Sequence, residues 1–417
     1  MFAGAALVML GNYYAYDSIA PVAVQLSREL HFSDTQIGSL NAIYSLPNIF
    51  LVLVGGVLVD RFSARAAVVV TTALCLVGAI VTALGSHFAI MAVGRLLFGI
   101  GSETLAVAIT VAFAQWFAGR YLALLFALNL SLARLGSYLA DRSPSFAHDL
   151  YAQGWQPPLW LAVGFTLASF AGGLIYFYAD RREAPRGTLA LPPPPDRFDW
   201  RHLLTFRREY WVLVAVCVSF YSVIFPFRST FAIKYLQEAL GFTQAAAGDL
   251  NSNVFLAAVF ATPVFGLALD RLRHNTVLLA AGALLLPLSF VVLGATDLSA
   301  AQRALLSSVL LGVSFSFLPA VLWPTVVRYS PPEHLGTAYG MMTALQNTGL
   351  TVANLVAGRI NDVNHASAAN PGGYTPMLWF FGLLSLTALL ITLVLWLLDH
   401  GAAPAARTAA VATGSRG

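Results

Sequence analysis

A tight, charged turn occurs twice in this chain, each time between two long apolar runs. The first copy reads Gly55-Gly56-Val57-Leu58-Val59-Asp60-Arg61-Phe62-Ser63-Ala64-Arg65. About 210 residues later comes Gly266-Leu267-Ala268-Leu269-Asp270-Arg271-Leu272-Arg273. So short a turn makes the flanking helices pack side by side, and the glycines let their backbones approach. Two such turns at equivalent places indicate an internal duplication.

The flanking runs set the solvent. The chain is 58% hydrophobic and 10% charged, with a mean hydropathy of +0.73. A soluble protein of 417 residues cannot bury that much apolar surface, so the bilayer is its solvent. Apolar windows predict an all-α membrane protein of twelve transmembrane helices in two six-helix halves related by a pseudo-twofold axis. The spans fall near 5–28, 41–60, 66–85, 89–113, 121–141 and 158–180, then 209–236, 244–269, 276–295, 302–328, 336–360 and 374–398. The first is not a cleaved signal peptide, because Tyr13, Tyr14, Tyr16 and Asp17 interrupt its apolar core.

Arginine placement gives the orientation. With the N-terminus in the cytoplasm, the inner loops hold thirteen arginines: 61, 65, 120, 181, 182, 186, 197, 201, 207, 208, 271, 273 and 328. Only Arg28, Arg142, Arg303 and Arg359 fall outside. This is the positive-inside pattern of a membrane protein with both termini cytoplasmic. The expected organisation is a first half over 1–180, a cytoplasmic Arg/Pro-rich linker over 181–208, a second half over 209–400 and a disordered tail over 401–417. Four consecutive prolines, Pro192 to Pro195, make the linker extended rather than a folded domain. Its arginines suit a surface lying against anionic lipid, and without interleaved aromatics they do not suggest nucleic acid.

No catalytic chemistry is written in the chain. It has no P-loop, metal-ligand cluster or nucleophile motif, so an enzyme, ATP-driven transport and a bound cofactor are all disfavoured. Cys75 and Cys217 both sit inside apolar runs, as inert membrane-helix cysteines do.

What remains is charge inside the membrane, where each charge costs about 2.5–3.5 kcal/mol at the helix centre on insertion scales and needs a partner or a wet cavity. Glu103 and Arg134 lie on consecutive helices near the midplane. They read either as a structural salt bridge or as opposite charges in one substrate cavity. Such a pair suits a zwitterion, the guanidinium taking a carboxylate and the carboxylate an ammonium. Asp17 is a second acceptor for an amino group or a proton site. Tyr16 beside it lines the same cavity or packs between helices. Arg228, after Pro226, is a gate or second anion contact, or else an anchor at the outer interface. Lys234 is close enough to the outer end of its helix to snorkel to water. In the second half, Asn251, Asn253, Trp323, Pro324, Gln346 and Asn347 read as interhelical hydrogen bonds or as the far wall of the cavity, with about half facing it.

The two halves, the long linker and the repeated Gly-x-x-x-Asp-Arg turn resemble the major facilitator superfamily. Arg95-Leu96-Leu97-Phe98-Gly99-Ile100-Gly101 resembles that family's fourth-helix signature. The resemblance implies that Gly56, Asp60, Arg61, Arg65, Asp270 and Arg271 belong to a cytoplasmic latch between the halves. It also implies that Arg95 bonds to the backbone of the first helix or, alternatively, to substrate.

Longer stretches are similar to one branch, the lysosomal dipeptide transporter group of animals. They include Tyr44-Ser45-Leu46-Pro47-Asn48, Gly99 through Ala108, Leu132-Ala133-Arg134-Leu135-Gly136-Ser137, Phe225-Pro226-Phe227, Leu322-Trp323-Pro324, and Leu335 through Asn347. This resemblance implies recognition of the terminal amino and carboxylate groups of short peptides, with Glu103 and Arg134 as contacts. Animal members carry a sorting tail and work with a glycosylated subunit. Here the first span starts near Met1, the single sequon, Asn129-Leu130-Ser131, falls inside a span, and arginine replaces lysine almost throughout, so a bacterial relative in the cell inner membrane, acting alone as a monomer, is expected. The leading expectation is a secondary transporter of dipeptides or similar zwitterions, uniport or proton-coupled. The alternatives are an organic-anion carrier using Arg95, Arg134 and Arg228, and a transport-inactive receptor or scaffold.

Overall fold

The structure is a computed structural model that describes residues 2–61, 64–116, 122–183, 206–272, 275–331 and 334–414. For 52–61, 113–116, 122–127, 400–414 and residues 2, 64, 111, 183, 270, 272, 275 and 318 it describes the backbone alone. The side chains of Gly56, Asp60, Arg61 and Asp270, and most of the expected linker, lie outside the described residues.

Among the described residues the chain forms twelve helical rods, three of them broken. The first rod is α1 (Phe2–Asp17) and α2 (Ile19–Glu29), parted at Ser18. Pro21 follows the break and has no N–H to offer the carbonyl four residues back. Then come α3 (Asp34–Arg61), α4 (Ala64–Leu84), α5 (Phe88–Trp116), α6 (Leu122–Phe146) with the short α7 (His148–Ala152), and α8 (Gln156–Glu183). The seventh rod is α9 (Arg208–Pro226), a π-helical turn over Phe227–Phe231, and α10 (Ala232–Glu238). Next are α11 (Gln244–Leu272) and α12 (Asn275–Gly294). The tenth rod, α13 (Ala300–Phe317) and α14 (Trp323–Tyr329), is joined by a π turn over Leu318–Leu322. The chain ends with α15 (Leu335–Val363) and α16 (Thr375–Gly414).

Eight of these, by length and apolarity among the described residues, suffice to cross a membrane. The remaining four rods are α1/α2, α3, α6 and α15. Helix α16 continues to Gly414, into the segment where composition suggests a disordered tail. Alanine, the strongest helix former, makes up much of that extension.

Each half buries its own core. Phe98, Tyr14 and Tyr44 sit in that of the first half, and Phe220, Phe255, Phe315 and Phe381 in that of the second. The halves meet along α3 with α15, and α6 with α11. These contacts are tightest at the end of the bundle opposite the chain termini. There a Cβ on Gly358 would stand 2.5 Å from the Asp34 carbonyl oxygen, so only glycine allows this approach. At the same end, the Asp362 carboxylate of the second half caps the start of α3, accepting from the backbone N–H of Asp34 (2.8 Å) and Thr35 (2.9 Å).

Candidate functional site

Between the halves lies a cavity of about 230 Å³. Tyr13, Tyr16, Tyr44, Ser45, Glu103 and Arg134 form its first-half wall, and Tyr221, Phe225, Trp323, Thr343, Gln346, Asn347 and Leu350 its second. The size is just below the roughly 300–1,000 Å³ of ordinary small-molecule sites, which points to a small ligand. Among the described lining residues both charges come from the first half, and the facing wall offers aromatic rings and neutral polar groups.

Glu103 and Arg134 face this one space without pairing. Among the described residues neither takes part in an ion pair. The guanidinium of Arg134 lies 4.5 Å from the ring centroid of Phe315, 5.1 Å from that of Phe255 and 6.0 Å from that of Tyr13. Its buried Nη1 has no hydrogen-bond partner. The salt-bridge alternative for these two residues is therefore not what the fold builds. A buried donor left without a partner costs about 1–3 kcal/mol, and among the described residues none supplies an acceptor to Arg134 Nη1.

Neighbouring groups orient the walls. Asn12 donates to Ser102 Oγ (2.8 Å), which is also bonded to the Tyr44 hydroxyl (2.9 Å). The Trp323 indole donates to the Tyr221 hydroxyl (3.0 Å), and Tyr221 stacks on Phe225. The Tyr339 hydroxyl donates to the Trp323 carbonyl (3.1 Å), beside the π turn that breaks the tenth rod.

Other expected site residues sit elsewhere. Asp17, Arg228 and Asn251 do not line the cavity; they form a sealed cluster that ties the halves together. Arg228 donates to Asp141 Oδ2 (2.5 Å) and to the Ser137 carbonyl (3.3 Å), and its Nη1 stands 2.6 Å from Asp17. Asn251 donates to Asp141 (3.0 Å) and to the Arg228 carbonyl (3.2 Å). Arg228 is 0% exposed, and so is Asp141. The π turn after Pro226 explains the placement: it breaks the regular backbone ladder, leaving the Arg228 and Ser229 carbonyls to side chains. Asn41 of the first half donates to the Ser229 carbonyl (3.0 Å) and to Thr230 (2.7 Å).

Lys234 does not snorkel. It is 4% exposed, is paired with Asp34 and donates to Ser27 (3.0 Å). Asn361 donates to the other oxygen of Asp34 (2.8 Å). Arg142 and Asp249 make a third pair between the halves at 2.8 Å. Of these acidic partners, Asp34 and Asp141 were not legible as site residues, because each falls at or beyond the edge of an apolar window, and Asp249 lies in the first turns of one. The signal was indirect: a buried arginine such as Arg228 demands a carboxylate from somewhere.

Arg95 serves the backbone. It donates to the carbonyls of Ala15 (3.3 Å), Tyr16 (3.2 Å) and Leu40 (3.4 Å), and to Asn41 Oδ1 (2.6 Å). It thus takes up carbonyls at the end of α1, where the helix stops. Of the turn residues with described side chains, Arg65 pairs with Asp180 (3.4 Å) inside the first half, and Arg271 is exposed. Among the described residues no ion pair or hydrogen bond joins the halves at the terminal end of the bundle.

Comparison with known proteins agrees with this architecture. Residues 5–231 and 227–414 each match the Major Facilitator Superfamily. The lysosomal dipeptide transporter MFSD1 of Danio rerio is 32% identical over 402 residues, covering 94% of this chain and 84% of the relative. That of Bos taurus is 30% identical over 402 residues, covering 94% and 83%. Among solved structures, a variant of the nucleoside transporter NupG superposes with a TM-score of 0.77 at 13% identity, over 94% of this chain and 99% of that one. With both halves matched to the superfamily and most of a relative above 30% identity covered, the chain is a membrane transporter of the major facilitator superfamily and belongs there to the MFSD1 group.

Proposed function

We propose that the protein carries dipeptides or comparable small zwitterions, one at a time, by alternating access of the two halves around the central cavity. One observation carries this reading: Glu103 and Arg134 line the same space, opposite in sign and unpaired, and Arg134 Nη1 has no acceptor. A zwitterion supplies both missing partners at once. Its carboxylate meets Arg134, its ammonium meets Glu103, and the aromatic wall of Tyr13, Tyr16 and Tyr44 covers the backbone between them. The relatives named for dipeptide transport favour the same substrate class.

Orientation and direction of opening follow from charge. If the arginine-rich side is cytoplasmic, as in a cell inner membrane protein with both termini inside, the end sealed by Arg228, Lys234 and Asp362 faces outward. The cavity of this structure is then the inward-facing one. Rocking the halves about it would break those seals and close the other end through the turns at Asp60 and Asp270.

Thermal shift of the purified protein tests the substrate class, and flux into liposomes tests transport. Free dipeptides should stabilise the protein to similar extents. N-acetylated and C-amidated forms should not, since each leaves one buried charge unpaired. Equal stabilisation by free and blocked dipeptides would overturn the zwitterion reading in favour of an organic-anion carrier. Binding without flux would mark a receptor.

A further inference from the structure

Arg134 lines a second chamber as well as the central cavity. This chamber, of about 260 Å³, lies between α6 and α11 beside the π turn of the tenth rod. Its walls are Leu130, Ala258, Val259, Pro263, Gly266, Pro319 and Ala320, with Ser131 and Thr262. Thr262 spends its hydroxyl on the Ala258 carbonyl of its own helix (2.7 Å). Among the described residues of the lining, Arg134 is the single charged one. Gly266 belongs to the repeated turn motif, yet a Cβ placed on it meets no atom within 4 Å.

We infer that this chamber receives the side chain of the substrate's C-terminal residue and selects apolar ones. The inference rests on the reading that Arg134 holds the substrate carboxylate. In a dipeptide the carbon bearing the C-terminal side chain is bonded directly to the carboxylate carbon. Fixing the carboxylate on Arg134 therefore delivers that side chain to the chamber, while the N-terminal side chain stays near Glu103 and the tyrosine wall. An apolar cavity of about 150 Å³ holds a benzene-sized group, so this space takes a leucine or phenylalanine side chain with room left. A charged side chain would meet no carboxylate among the described lining residues, and a basic one would also face Arg134.

Sequence isomers test this directly, because they have the same composition. Affinities of the wild-type protein for Ala-Leu and Leu-Ala, and for Ala-Phe and Phe-Ala, are measured by thermal shift and by competition in flux. Ala-Leu and Ala-Phe should bind at least about tenfold more tightly than their reversed isomers, which is the scale of one side chain gaining an apolar pocket. Gly266→Leu fills the chamber and should remove that preference, so that each pair of isomers binds alike. Thr262→Leu is a second filling variant on the same helix, for use if the first does not fold. Equal affinities for the two isomers, with free dipeptides still bound and blocked ones rejected, would overturn the chamber assignment and leave the zwitterion reading standing. Failure of every free dipeptide to bind would overturn both.

Discussion

Arg228 of the second half reaches Asp141 of the first at 2.5 Å, and the same guanidinium stands 2.6 Å from Asp17. One buried cation thus joins two helices of one half to a π turn of the other. The cluster holds the far end of the bundle shut, one boundary away from the cavity. Replacing Arg228 by Met leaves two buried carboxylates without their partner, a change that typically costs about 3–5 kcal/mol. The expected result is a lower melting temperature with faster hydrogen exchange over 137–141 and 227–231. Unchanged exchange in both segments would show that the cluster does not seal the halves.

Arg134→Ala should behave in the opposite way. Its guanidinium gives the protein ring contacts and no ion pair, so stability should fall by about 1 kcal/mol. Dipeptide binding should be abolished, because losing one partner of a buried charge contact costs about 2–5 kcal/mol. Thermal shift with and without Ala-Ala separates the two quantities. Wild-type affinity in this variant would assign Arg134 to structure.

Glu103→Gln should narrow the difference between free and N-acetylated dipeptides. The amide no longer offers the ammonium a charge, and an acetylated terminus no longer leaves a carboxylate uncompensated. The ratio of the two affinities in competition assays is the measurement. An unchanged ratio would place the ammonium elsewhere.

Arg95→Lys should weaken the fold with or without ligand. A lysine cannot span the four acceptors, Ala15, Tyr16, Leu40 and Asn41, that the planar guanidinium reaches. The expected loss is roughly 2–4 kcal/mol. Denaturation in detergent checks it, and a ligand-dependent effect alone would point to substrate contact instead.

Asp60→Asn should slow turnover more than it weakens binding. Asp60 lies about four helical turns beyond the cavity residue Ser45 on the same helix, and a ligand shifts a conformational equilibrium only by its differential affinity for the two states. A protein that cannot hold the other state shut can still bind but cycles poorly. Flux and equilibrium binding on the same preparation decide it; a large affinity loss at an unchanged maximal rate would contradict the latch.

By itself the sequence determined the solvent, the helical class, the twofold repeat and the superfamily. Each of these is a local property. Length and apolarity of a window report a membrane helix wherever the helix ends up, and the turn at Asp60 repeats at Asp270 in the chain before any packing is considered. Only the tertiary structure decided which of the described intramembrane charges are paired and which are not. Glu103, Arg134, Asp17 and Arg228 carry the same local signal, a charge in an apolar run. Whether each is paired depends on the rotation of its helix and on a partner from another element: Asp141 for Arg228, 87 residues away, and Asp34 for Lys234, 200 residues away. The breaks at Ser18 and after Pro226 set those rotations and free the carbonyls that Arg95, Asn41 and Asn251 take up. Such pairings arise when two halves fold against each other, and no window of sequence contains both partners.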